Sequence, residues 1–172
     1  DFINKQETIS LLNPLSKDLQ HMRQSLLFGG LESIVNNINH SNENLRLYEF
    51  GTIYRKNLNK TTDNNVVDSY LHQTHLALFA TGKHHSESWK HKAQDLDFFY
   101  LKNMIENVLT KANFDLKRFT CQSELTAGAL CHVLNYAFDS QTILRIGEVN
   151  KDVLKHFGIK QNVYYADIDC DK

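Results

Sequence analysis

Little in this 172-residue sequence could act as a hinge, a staple or an anchor. One proline and seven glycines leave no Pro/Gly-rich stretch to divide it. Its three cysteines, Cys121, Cys131 and Cys170, are odd in number, far apart and without a C-x-x-C pair. That argues against a disulfide framework or zinc ribbon and reads as reduced, buried thiols of a cytoplasmic protein. No apolar run approaches the 18 or so residues a membrane helix needs, and the N-terminus lacks the basic-then-apolar pattern of a secretory signal, so no membrane partner is expected. An excess of positive charge is also missing: the formal net charge is −1. A domain that grips phosphate backbones unaided carries a clear basic excess, although a local basic patch stays open.

What is present is an ordinary globular composition, 41% hydrophobic and 23% charged, enough for one domain over 1–172 with a sizeable core. Asp1 in place of an initiator methionine, and a strand-like run over 162–169 at the far end, read as an excised piece of a longer chain.

Residues 7–12 read as a short strand leading to the Asn13-Pro14 turn. From Leu19, apolar residues recur at Met22, Leu26, Leu27, Leu31, Ile34, Val35 and Ile38, which marks one helical face. Gly29-Gly30 interrupts it, so two pieces are expected, the firmer over 28–39. Residues 45–56 alternate apolar and polar with aromatic and β-branched side chains, a strand signal; 73–82 is a second strand, and 57–69 between them is a polar loop, together an antiparallel hairpin. Residues 83–94 read as irregular. Leu101, Ile105, Val108, Leu109 and Ala112 predict a helix from about Asp97, with Asp95 or Asp97 as its cap. Strands are expected over 132–138, 142–149 and 163–168, with a short helix over 151–157. The fold class is α+β, a mostly antiparallel sheet flanked by helices.

Several strings occur in a telling order: Asn13-Pro-Leu-Ser16, Met22-Arg23-x-Ser25-Leu-Leu, Leu47-Tyr-Glu-Phe-Gly-Thr-Ile-Tyr54, Trp89 followed by Asp97-Phe98-Phe99-Tyr-Leu-Lys102, Ile146-Gly-Glu-Val149 and Val163-Tyr-Tyr-Ala-Asp-Ile168. In this order they resemble the phenylalanyl-tRNA synthetase beta chain, over nearly the whole sequence. Two departures stand out: Phe28 replaces the family's usual proline after Leu-Leu, and Leu125-Thr-Ala-Gly stands where the family often has His-Pro-Gly. The resemblance implies a class II synthetase catalytic-domain-like fold in a module that is a degenerate copy of the catalytic one. It also implies a partner, the catalytic alpha chain, in an α2β2 assembly that joins phenylalanine to tRNA with ATP and magnesium. By the same resemblance, Asn13, Pro14, Ser16, Met22, Arg23 and Ser25 are the alpha-chain interface, while Trp89, Asp97, Phe98 and Phe99 form a structural motif.

Amino-acid activation needs positive charge on the ATP phosphates, where charge develops as pyrophosphate leaves. Class II enzymes supply one arginine from a hairpin strand and another from a later glycine-rich motif. Arg55 resembles the first. The second has no match: Arg145 precedes a strand glycine but lacks the motif around it. The expectation is therefore no catalytic residue, no cofactor and no metal in this domain, with ATP and magnesium belonging to the whole enzyme.

Other features have blander readings beside sharper ones. His72, His75, His84, His85 and His91 invite a metal, but residues three apart on a strand face opposite sides and zinc wants four ligands at motif spacing, so exposed loop histidines are expected. Ser25, Ser86 and Ser88 lack a Gly-x-Ser-x-Gly elbow and read as caps or surface residues. Lys83–Lys92 with Trp89 could stack on RNA; against that, Trp89 is expected to anchor its loop on the core, whereas an exposed indole would favour a partner surface. Leu26, Leu27, Leu31, Ile34 and Val35 form either a core or an interface stripe. An autonomous ATP-using ligase working through Arg55, and an RNA-binding module, remain the rival functions.

Overall fold

A computed structural model describes residues 3–16, 20–58, 69–85, 89 and 92–171. Helix α1, Leu27–Asn39, buries Leu27, Gly30, Leu31 and Ile34, the i, i+3, i+4, i+7 pattern of one helical face. It is a single helix, and Gly29-Gly30 lies in its first turn instead of breaking it. The Ser25 hydroxyl accepts from Leu27 N at 3.1 Å, which satisfies one of the free first-turn donors. Residues 7–12 do not form the expected strand. Lys5–Glu7 is a 3-10 turn, and Ser10 makes only an isolated antiparallel bridge with His21.

Strands β1, Leu45–Lys56, and β2, Tyr70–Thr81, form the expected hairpin. The short ribbon β3, Lys83–His85, and β4, Gln94–Asp95, runs through residues expected to be irregular. Helix α2, Phe98–Lys111, is capped by Asp97, whose side chain accepts from Tyr100 N. Strands β5, Thr120–Ala127, β6, Leu130–Phe138, and β7, Gln141–Val149, follow as a meander, then helix α3, Lys151–His156, and β8, Val163–Asp169. One six-stranded sheet results, in the order β1-β2-β8-β7-β6-β5, antiparallel at every pairing.

Both faces of the sheet are covered. On one, α1 and α3 pack Leu31, Ile34 and Leu154 onto Ala77, Phe79, Val163 and Tyr165. On the other, α2 packs Leu101, Ile105 and Leu109 onto Leu78, Leu144, Ile146 and Ala166. The central strand β8 is covered on both sides, so its first four residues, Val163 to Ala166, are all buried instead of alternating. The stripe Leu26, Leu27, Leu31, Ile34 is fully buried and is core, with Val35 packed at its margin. No helix among the described residues is long and apolar enough to cross a membrane.

Leu101 is completely buried at the centre of the α2 contact. Leu101→Ala is expected to cost about 2–5 kcal/mol, the transfer and cavity cost of a buried leucine, read as a lowered urea midpoint. A loss under about 1 kcal/mol would mean that the site collapses freely or that α2 is not docked this way.

Candidate functional site

The two ends of segment 9–22 are joined to each other by two backbone bonds, Leu11 N to Gln20 O (2.8 Å) and Met22 N to Ile9 O (2.9 Å). Residues 17–19 lie outside the described part. The segment holds Leu12 and Leu15 almost wholly in solvent, at 98% and 97% exposure, with Leu11 also exposed. Burying a leucine is worth about 1.5–3 kcal/mol, so two fully exposed neighbours on one short segment mark a surface that gains by being covered.

Arg23 fixes this segment to the sheet. Its backbone carbonyl accepts from Tyr54 N at 2.8 Å, its Nε donates to Thr52 O at 2.9 Å, and its Nη1 meets Glu49 Oε1 at 2.6 Å. Gly51 makes this possible, since a Cβ there would strike the Arg23 guanidinium and stand 2.8 Å from Leu26 Cδ2. The glycine in the Phe-Gly-Thr-Ile-Tyr string thus clears the path by which arginine crosses the strand.

The structure brings Asn13, Pro14, Met22 and Arg23 together around an open concavity of about 450 Å³, with Leu11, Leu15, His21 and Tyr54. Ser25 belongs instead to a broader groove of about 1040 Å³ on the other side of Arg23, where it is buried. Ser16 is exposed nearby. The exposed leucines were missed as site residues because Leu11 and Leu12 fall in the run read as a strand and Leu15 stands alone beyond the Asn13-Pro14 turn.

The structural motif divides. Asp97 caps α2 and Phe98 packs against the core, but Phe99 is 68% exposed. Trp89, expected on the core, stands 97% exposed among the described residues. Ser86, Ser88 and His91 lie outside the described residues. The cysteines are free but not buried as expected; Cys121 and Cys170 are exposed and Cys131 is half-buried, because two of them sit on an exposed strand or a strand end rather than on an inward face.

On the α1 face, beyond the apolar core, the strands carry a polar row. His75, buried where an exposed histidine was expected, meets Asp167 Oδ1 through Nδ1 at 2.8 Å. Gln73 Nε2 donates to Asp169 at 3.3 Å, Arg145 Nε to Asn135 Oδ1 at 3.1 Å, and Asn135 Nδ2 to Glu124 at 2.6 Å. These residues do not fit a triphosphate clamp. Arg55 has Glu7 as its ion-pair partner, at 3.9 Å. Arg145 aligns with Asp167, Asp167 with Ala77 and Ala77 with Glu49, so Arg55 lies three strand spacings across and six residues along. That is roughly 14 Å by 20 Å, too far for two side chains to close on one phosphate chain. Arg145 is also set beside Asp167 and Asn135, which direct it into the sheet's own network.

Residues 2–170 match the family described as phenylalanyl tRNA synthetase beta chain CLM domain. The chain is 38% identical over 162 residues to the phenylalanine–tRNA ligase beta subunit of Bacteroides thetaiotaomicron, covering 94% of this chain and 20% of that one. It is 32% identical over 171 residues to the corresponding subunit of Porphyromonas gingivalis, covering 97% and 20%. It therefore spans about a fifth of the length of these curated relatives. In three dimensions it resembles the pyrrolysyl-tRNA synthetase of Desulfitobacterium hafniense, with a TM-score of 0.65 at 14% identity over 95% of this chain and 50% of that one, a likeness of fold to a class II synthetase.

Proposed function

Because the chain belongs to the phenylalanyl-tRNA synthetase beta-chain family, as its CLM domain, we propose that it is a non-catalytic class II-like module that supports assembly with the catalytic alpha chain. The observation that carries this reading is the apolar segment Leu11–Leu15, held against β1 by Arg23 and left uncovered. Interfaces draw their energy from a few aromatic, arginine or deeply seated apolar anchors at the centre of the patch, and Met22, Arg23, Pro14 and the two exposed leucines provide such a set. The separation of Arg55 from Arg145 supports the non-catalytic half of the reading: phosphate charge would find one arginine, paired with Glu7, rather than a clamp. ATP and magnesium would then act in the whole enzyme, on the alpha chain. The exposed Trp89 supports a further partner contact by the β3–β4 ribbon.

The test is to mix the chain with its matched alpha chain and measure complex mass by light scattering after size exclusion. A defined hetero-complex is expected. Leu12→Ser, at a residue with almost no native contacts to lose, and Arg23→Ala should each weaken it about tenfold or more, with the fold intact by circular dichroism. Arg23 and Glu49 form a partly exposed pair, whose loss costs the fold only about 1 kcal/mol or less. A complex unaffected by both substitutions, or none at all, would sink this interface.

A further inference from the structure

We propose that Cys131, His132 and Glu148 form a binding site for one zinc-class divalent transition-metal ion, with a fourth coordination position left open. Their ligand atoms all lie within 4.8 Å of one another. The arrangement depends on a fault in the strand. In a regular strand, consecutive side chains point to opposite faces, and Cys131 and His132 could not share a ligand. The β6–β7 register shifts between Cys131 and Leu134, and His132 takes the left-handed conformation, φ 50°. A bulge of this kind re-aims a side chain, and here it brings the imidazole round to the side of its neighbour. Glu148 is the cross-strand partner of Cys131, so its carboxylate reaches both: His132 Nδ1 is 3.5 Å from Glu148 Oε2, and the Cys131 thiol donates to the Glu148 backbone carbonyl at 3.5 Å.

The donor set is one thiol, one imidazole and one carboxylate, all ligands of Zn2+, at bond lengths of about 2.0–2.3 Å. Tetrahedral geometry at those lengths puts ligand atoms roughly 3.3–3.8 Å apart. The His132–Glu148 separation already falls there, and the remaining approach needs only side-chain rotation at a half-exposed rim. A left-handed, non-glycine residue costs energy unless the surroundings require it, so a conformation whose product is three convergent ligands has an explanation in ligation. The thiolate is the form that ligates a metal, so binding at Cys131 releases the thiol proton. The site is independent of the alpha-chain surface, since it lies at β6 and β7 rather than β1.

The experiment is a Co2+ titration of the chelator-treated chain, followed by the thiolate-to-metal absorption band and back-titrated with Zn2+. One equivalent of Co2+ should produce the band and Zn2+ should displace it. Cys131→Ser should abolish the band, whereas Cys121→Ser and Cys170→Ser keep it. Glu148→Gln and His132→Gln should each weaken Co2+ about tenfold or more, at least the effect of losing a supporting partner of a metal site. Glu148→Gln is the safeguard should Cys131→Ser fail to fold. No band at one equivalent, a band that survives Cys131→Ser, or affinity unchanged in Glu148→Gln would each overturn the site.

Discussion

Gly30→Ala is expected to destabilise the protein by about 3 kcal/mol, the upper end of what extra bulk in a packed core costs, while Gly29→Ala one residue earlier should stabilise it by about 0.5 kcal/mol. Both glycines sit in the first turn of α1. A Cβ on Gly30 would overlap the Phe79 ring, whereas a Cβ on Gly29 meets nothing within 4 Å. Phe79 cannot swing aside: it is 3% exposed and packs on Tyr165 with ring centroids 5.0 Å apart. At Gly29 only the helix preference for alanine remains. Urea midpoints of the two variants would show opposite signs. Equal midpoints would mean that α1 does not lie on Phe79.

The second large effect is at alkaline pH. Tyr136, Tyr164 and Tyr165 are all buried, and burial is the main cause that pushes each phenol up. The Tyr136 hydroxyl also donates to Glu106 Oε1 at 2.9 Å, a bond that ionisation would destroy. The sign follows directly. A phenol raised in the folded state is protonated in both states below the ordinary tyrosine value near 10, so its contribution is fully present there. Above that value the unfolded chain binds fewer protons than the folded one, and stability falls with rising pH. Each raised phenol adds to that fall, with a slope of at most about 1.4 kcal/mol per pH unit where the unfolded phenol has ionised and the folded one has not. Urea unfolding at stepped pH values above 9, with tyrosinate absorbance recorded in parallel, should show stability falling as the pH rises past about 10, with the buried phenols ionising later than the exposed ones. Full tyrosinate absorbance in a chain still folded by circular dichroism would refute this.

The same pair of glycines shows where sequence reading stops. Gly-Gly has poor helix propensity, and from local chemistry it is a break; the ring of Phe79, nearly fifty residues away, makes the second glycine the right residue for a close helix–sheet approach. Strands β1, β2 and β7 were legible because one side of each is wetter than the other, or because β-branched and aromatic residues cluster in them. β5 was not, because residues 120–126 are exposed throughout and an edge strand with no buried face has no period to detect. β3 and β4 are three and two residues long, below what any pattern resolves.

The candidate sites divide in the same way. Arg23 and Met22 could be picked out by their likeness to a family string, but the role of Gly51 in seating Arg23 needs the strand and the loop in one frame. Leu12 and Leu15 are apolar residues whose meaning lies in having nothing around them. His75 and Asp167 are partners across a sheet that joins residues 92 apart. Cys131, His132 and Glu148 depend on a bulge, and strict alternation would have placed two of them on opposite faces.

The strand order sets a sequence of events during synthesis. β8 lies between β2 and β7, so it is the seam between an early hairpin and a late meander, each of which pairs within itself. Once Thr81 has left the ribosome, the inner edge of β2 stays bare until Val163 follows. At typical elongation rates that wait is on the order of ten seconds. During that time a strand as apolar as Leu76–Ala80 displays unpaired backbone, the kind of edge that recruits other chains. Val163–Asp169 are what close it.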